Sequence, residues 1–190
     1  SASRDVVRRR FLGRDERAEY DGRNPNAQRQ WLLGRIAAKD AARARRWADG
    51  AGDLFPIEIG VTNDEHGRPE LVGDAAGDLQ VSIAHTAGLG VALVAEGRDP
   101  ASWPGIDIEA IEPRSATFEA TSLTAEEIAL LGPLGLAGPE RDLVLTRAWA
   151  AKEAAAKAAG TGLQGRPRDW VITAVDGDEL IVAGRRIATT

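Results

Sequence analysis

The chain has 190 residues, a formal net charge of −5, 43% hydrophobic and 28% charged side chains, and no cysteine. That length and balance fit one compact domain or two small lobes with a real core. They argue against a general nucleic-acid binder, a disulfide scaffold, a thiolate zinc site and a cysteine nucleophile. The longest apolar runs fall far short of a membrane span, and no signal-peptide pattern opens the chain. The expectation is therefore a cytoplasmic protein with no membrane partner. There is no methionine, even at position 1. Ser1-Ala2-Ser3 reads as a processing scar, and the chain as a domain excised from something larger, the alternative being simple removal of the initiator.

Residues 4–20 read as charged and irregular, with an apolar knot at Val6, Val7, Phe11 and Leu12. Asn24-Pro25 supplies an N-cap and a proline in the first turn, opening a long helix to about Trp47. Ala27, Trp31, Gly34, Ala38 and Ala42 mark its buried stripe. Residues 55–62 alternate as a strand. Asn63 to Pro69 forms a turn that leads into a short strand at Glu70–Val72. Strands are predicted at Leu79–Ala84 and Val91–Ala95, flanking a His85-Thr86-Ala87-Gly88 loop.

Asp99 to Pro104 reads as the boundary between an N-terminal lobe (1–103) and a C-terminal lobe (104–190). Gly105 to Ile111 is predicted as a strand, and Thr124/Glu127 as a capping box opening a helix to about Leu131. A loop spans 132–139. A helix then runs from Glu140 to Ala159, closed by Gly160. Trp170–Val175 and Leu180–Val182 form a hairpin across Asp176-Gly177-Asp178. Each half thus carries a main helix and a few short strands.

Three features point to chemistry. In Gly105-Ile106-Asp107-Ile108-Glu109, strand alternation sets both carboxylates on one face, close enough to share an ion. Like charges held together need a compensating cation, and Mg²⁺, with its oxygen ligands, suits them; an ordinary solvent face remains the alternative. On the main C-terminal helix, Trp149, Glu153 and Lys157 share one face, with Lys152 just beside it. The chain holds three lysines, Lys39, Lys152 and Lys157, against 21 arginines. Two lysines so close together suggest a use for a compact ammonium, the alternative being a surface Glu153–Lys157 pair. His85 after its strand and Arg68 in a Gly-Arg-Pro turn are candidate anion contacts, or else ordinary loop residues.

These pieces, in this order, resemble the Sfp-type 4′-phosphopantetheinyl transferases. The matching residues are Gly105-Ile106-Asp107-Ile108-Glu109 and Trp149-Ala150-Ala151-Lys152-Glu153-Ala154-Ala155-Ala156-Lys157. Gly67-Arg68-Pro69, Ser82-Ile83-Ala84-His85, Leu123-Thr124-Ala125-Glu126-Glu127 and Gly160-Thr161-Gly162-Leu163 join them. The resemblance covers residues 25–175.

It implies an α+β fold of two similar lobes with pseudo-twofold symmetry, each a helix packed on a small, mostly antiparallel sheet, with coenzyme A between the lobes. It implies transfer of 4′-phosphopantetheine to a serine of an acyl or peptidyl carrier protein, with release of adenosine 3′,5′-bisphosphate. Asp107, Glu109 and Glu153 would hold Mg²⁺, and Glu153 would be the general base. Lys157 would bind the pyrophosphate, and Lys152 would bind phosphate or orient Glu153. Arg68, Ser82, His85 and Asp107 would contact coenzyme A. Arg23, Arg29 and Arg35 are candidates for its 3′-phosphate. Ala84 replaces the family's usual serine. The length predicts a monomer; the excised look and the Ala/Arg-rich composition suggest a domain of a polyketide synthase acting on its own carrier. Competing expectations are a Mg²⁺-dependent phosphodiester or nucleotide hydrolase, and a non-catalytic carrier-binding module.

Overall fold

A computed structural model describes residues 2–86, 88–97, 99, 102–134 and 137–190. Ala87 of the predicted histidine loop, Pro100 and Ala101 of the predicted boundary, and Gly135 and Leu136 of the predicted 132–139 loop lie outside the described residues. The fold is α+β, and every strand pairing is antiparallel. The chain divides into two units, residues 1–104 and 105–190. No helix is long and apolar enough, among the described residues, to cross a membrane.

In the first unit, residues 4–20 are not irregular. They form α1 (Ala2–Phe11) and α2 (Arg14–Gly22). The break between them is Gly13, whose N–H donates to Glu16 Oε2 at 2.9 Å. Of the apolar knot, Leu12 is fully buried with Tyr20, Trp31 and Leu32, and Val7 packs against them, whereas Val6 is exposed. The helix α3 (Pro25–Ala48) begins as expected, with Asn24 Oδ1 accepting from Ala27 N at 2.9 Å.

The predicted strand at 55–62 is instead a 3₁₀ turn at Pro56–Glu58 followed by β1 (Gly60–Asn63). Proline at 56 removes a ladder donor and sets helical φ. The strands β2 (Pro69–Val72), β3 (Leu79–Thr86) and β4 (Leu89–Glu96) complete a sheet of order β1-β2-β3-β4. Helix α3 packs against this sheet, with Ala38 meeting Val61 and Val81, and Ala42 meeting Ile59 and Leu79.

In the second unit the predicted strand at 105–111 is absent. Residues 105–115 carry no ladder and no helix. Residues 105–109 are all half-buried, so the alternation of residue types there marks neither a sheet pairing nor one buried face. Helices α4 (Ala116–Ser122) and α5 (Ala125–Leu131) follow. Helix α4, missed in sequence, opens on Ser115, whose Oγ accepts from Phe118 N. The α5 capping box is present: Thr124 N donates to Glu127 Oε2 at 2.7 Å, and Glu127 N to Thr124 Oγ1. The helix α6 (Gly138–Ala158) ends at Gly160, φ +76°, a left-handed position that glycine fills without strain. A three-stranded sheet of β5 (Ile172–Asp176), β6 (Glu179–Val182) and β7 (Arg185–Ala188) closes the unit. Its core joins Leu145, Ala148, Ala151 and Ala155 of α6 to Ile172, Leu180 and Val182.

Candidate active site

The site is built on α6. Alanine is the strongest helix former, and six alanines between Ala148 and Ala158 are buried. Their short side chains allow Gly105 to lie directly on the helix backbone. A Cβ at Gly105 would fall 2.0 Å from Ala154 O. Only glycine permits that approach, and it fixes the carboxylates two and four residues on.

Lys157 Nζ donates to Asp107 Oδ1 at 2.7 Å and to Ile106 O at 3.2 Å. Asp107 is nine-tenths buried, and its Oδ2 has no hydrogen-bond partner. Glu109 is held from two sides. Trp149 Nε1–H donates to its Oε1 at 3.2 Å and Arg114 to its Oε2 at 3.2 Å. Trp149 in turn packs on Phe118, ring centroids 5.2 Å apart, and the Arg114 guanidinium lies 4.9 Å from the Phe118 centroid. The tryptophan therefore turns this helix face inward, as its position beside Glu153 suggests. Arg114 is a site residue that sequence reasoning missed; the only signal was a cation five residues beyond Glu109.

Glu153 is half-buried, and its pKa is raised above the ordinary carboxylate value. Burial is the main cause. Lys157 opposes it, while the negative charges of Asp107 and Glu109 add to it. Asp107 and Glu109 thus act electrostatically on Glu153, with Lys157 as the opposing cation.

Among the described residues, no group of three or more His, Cys, Asp or Glu side chains is placed so that it could hold a metal ion. The donor set is nevertheless of the chemical kind that a hard divalent cation takes. All its donors are oxygens, negative charge is in excess, and one buried carboxylate oxygen is orphaned. Asp107 and Glu153 have the freer oxygens, whereas both Glu109 oxygens are already engaged.

Lys152 is placed differently from the expected phosphate contact. It is fully buried, and its ammonium donates to Ser122 O at 2.9 Å, to Glu127 and to Pro167 O at 3.1 Å. Three donors with three acceptors leave nothing for a phosphate.

In the first unit, Arg68 stacks over Trp103 at 4.3 Å, and its buried Nε lacks a partner. His85 is not in a loop. It is the seventh residue of β3, paired with Gly90 and exposed. Its ring lies beside Gly34 of α3, where a Cβ would meet His85 Cδ2 at 3.9 Å. Ser82 is buried and, by strand parity, faces the opposite side of the sheet from His85. Ser82 and His85 therefore do not share one face. Ala84 is buried on the Ser82 side. Of the three arginine candidates, Arg35 and Arg23 both lie over the Trp31 ring, at 4.6 and 5.1 Å. Arg35 is buried, which lowers its pKa, and donates to Asn63 Oδ1. The Arg29 guanidinium lies against Gly88.

Residues 104–185 match the family described as the 4′-phosphopantetheinyl transferase superfamily. A holo-[acyl-carrier-protein] synthase of Geobacillus kaustophilus is 33% identical over 87 residues, which are 45% of this chain and 67% of that protein. A second holo-[acyl-carrier-protein] synthase, of Exiguobacterium sibiricum, is 30% identical over 79 residues, or 41% of this chain and 61% of that protein. The matched region holds Asp107, Glu109, Glu153 and Lys157, and the chain belongs to the 4′-phosphopantetheinyl transferase superfamily.

Proposed function

We propose that the protein transfers the 4′-phosphopantetheine arm of coenzyme A to a serine hydroxyl of an acyl or peptidyl carrier protein, in cis or in trans. The observation that carries this reading is the cluster of Asp107, Glu109, Glu153 and Lys157 on one side of α6, inside the region matched to the superfamily. The serine oxygen forms a bond to the phosphorus that carries pantetheine. The bond from that phosphorus to the adenosine 5′-phosphate oxygen breaks, and adenosine 3′,5′-bisphosphate leaves. Such a reaction depends on positioning and on neutralising charge.

Glu153 takes the serine proton. Its raised pKa brings it nearer to the working pH than a free carboxylate, as a general base requires. Lys157 supplies a positive charge for the pyrophosphate. Asp107, Glu109 and Glu153 would hold Mg²⁺, which when bound neutralises pyrophosphate oxygens. Trp149 and Arg114 keep Glu109 oriented. Arg68, Ser82 and His85 are assigned to coenzyme A phosphates. Arg68 offers a stacked guanidinium with an orphaned Nε, and His85 an exposed ring. The length of the chain, with a helix-on-sheet unit outside the matched region, supports the two-lobed Sfp type acting as a monomer or as a domain of a larger synthase.

Incubation of the protein with coenzyme A, Mg²⁺ and an apo carrier protein tests the reading by mass spectrometry of the carrier. A phosphopantetheine adduct on the serine is expected. Glu153→Gln is expected to slow its formation by about 10²–10⁴-fold. No adduct on several diverse carriers, or full activity of Glu153→Gln, overturns the assignment.

A further inference from the structure

We propose that Glu127 and Lys152 are the positioning pair of this active site, a buried clasp that sets the rotation of α6, and with it the aim of Glu153 and Lys157, without touching substrate. The proposal rests on the transferase reading above. Both side chains are 0% exposed, and they pair at 2.7 Å. Lys152 ties α6 to the end of α4 through Ser122 O, to α5 through Glu127, and to the 3₁₀ turn before β5 through Pro167 O. Glu127 also accepts from Ile172 N, the first residue of β5, at 2.7 Å. Five elements therefore meet at one ion pair.

The first unit contains the same wiring. Glu16, three residues into α2, accepts from Gly13 N as Glu127 accepts from Thr124 N. Lys39 on α3 pairs with Glu16 at 2.5 Å and donates to Phe11 O, at the end of α1. The second oxygen of Glu16 accepts from Val61 N, in the first strand of its sheet, at 3.2 Å. The separations agree. Glutamate to strand donor is 45 residues in both units. Glutamate to lysine is 23 and 25 residues, and lysine to helix-end carbonyl is 28 and 30.

The residue after each lysine separates fold from chemistry. Glu153 faces Asp107 and Glu109 electrostatically, whereas its counterpart Asp40 is half-exposed and pairs with Arg43. The clasp thus recurs where the carboxylate cluster does not. Its job is to fix the main helix, and in the second unit that helix carries the chemistry. Side-chain tips lie about 6 Å from a helix axis, so a roll of about 10° moves them by about 1 Å. Misplacement on that scale costs about 10²-fold in rate.

The test uses the full chain with Lys152→Met, and with Glu127→Gln/Lys152→Met, which leaves no unpaired buried charge. Circular dichroism establishes folding. The expected result is a kcat lower by about 10²-fold, a KM and Kd for coenzyme A within about 3-fold of wild type, and a displaced ¹⁵N indole resonance of Trp149. That N–H bonds Glu109 from α6 and so reports the roll of the helix, independently of transfer. The Trp31 and Trp103 resonances, from the first unit, should stay in place. A coenzyme A affinity weakened more than tenfold would make Lys152 a phosphate ligand and overturn the proposal. A wild-type kcat with an unmoved Trp149 resonance in the folded double variant would reduce the pair to ordinary core, with the same consequence. If wild-type protein modifies no carrier, the transferase reading fails while the Trp149 resonance still decides the clasp: displaced it supports the clasp, unmoved it overturns it.

Discussion

At the scale of single residues, Glu153 shows how burial makes a base and costs stability. Its folded-state pKa lies above the value in an unfolded chain. Between those two values the folded protein holds the proton more tightly, so stability falls as pH rises through the interval and then levels off. Glutamine has no proton to lose. Glu153→Gln is therefore expected to be more stable than wild type at neutral pH, with the advantage growing as pH rises from about 5 before it levels off. Urea unfolding of both proteins across that range measures it. Parallel stability curves would show that Glu153 carries no folding penalty. Lys157 is the opposing contribution: it lowers the Glu153 pKa and pairs with Asp107, so it limits a repulsion that Asp107 and Glu109 create.

At the scale of elements, Gly105 and α6 form one device. Any Cβ at 105 meets Ala154 O at 2.0 Å, Ala158 Cβ at 2.8 Å and Ala158 N at 2.9 Å. Two of these three atoms belong to the helix backbone and cannot swing away. Gly105→Ala is expected to destabilise the protein by about 1–3 kcal/mol, as overpacked sites do. It should lower transfer further than the folded fraction explains, because Asp107 moves with the displaced segment. An unchanged urea midpoint would mean that the segment is not pressed on the helix.

The same stretch shows what the sequence could reveal. Asp107 and Glu109 were legible as a pair, and Trp149 as an inward anchor, because residue type and spacing carry that information. The strand predicted for 105–111 was not there, because alternating residue types arise equally in an unpaired segment lying beside a helix. Strand β7 escaped notice because its turn is Ala183-Gly184, with Ala183 at φ +47° where asparagine or aspartate would announce a hairpin. Lys39 looks like any helix lysine in sequence, and nothing near Lys152, which stands out there as a candidate phosphate contact, points to its buried carboxylate. Their partners lie 23 and 25 residues away, and only packing brings them together.

At the scale of the whole molecule, the superfamily match covers residues 104–185, nearly all of the second unit (105–190), while the first unit repeats the clasp outside that match. Ligand binding gives the chain-wide consequence. A ligand that binds only the folded protein stabilises it by about 2.7 kcal/mol at a hundred times its Kd. For a chain of this size that corresponds to a melting temperature higher by about 5–10 °C. Coenzyme A with Mg²⁺ is expected to produce such a rise, and coenzyme A with EDTA a smaller one. The difference is the part that the carboxylates contribute through the metal. Asp107→Asn removes one of those charges and the acceptor of the Lys157 bond. It should abolish the Mg²⁺-dependent part while leaving much of the metal-independent part, which Arg68 and His85 are assigned to supply. The converse variant, Arg68→Ala, should lose the metal-independent part and keep a Mg²⁺ increment. Differential scanning fluorimetry of the three proteins, with and without EDTA, separates the two contributions. An equal rise with and without Mg²⁺ in wild type would remove the metal from the site, and an Asp107→Asn protein that kept the full increment would remove Asp107 from its ligands.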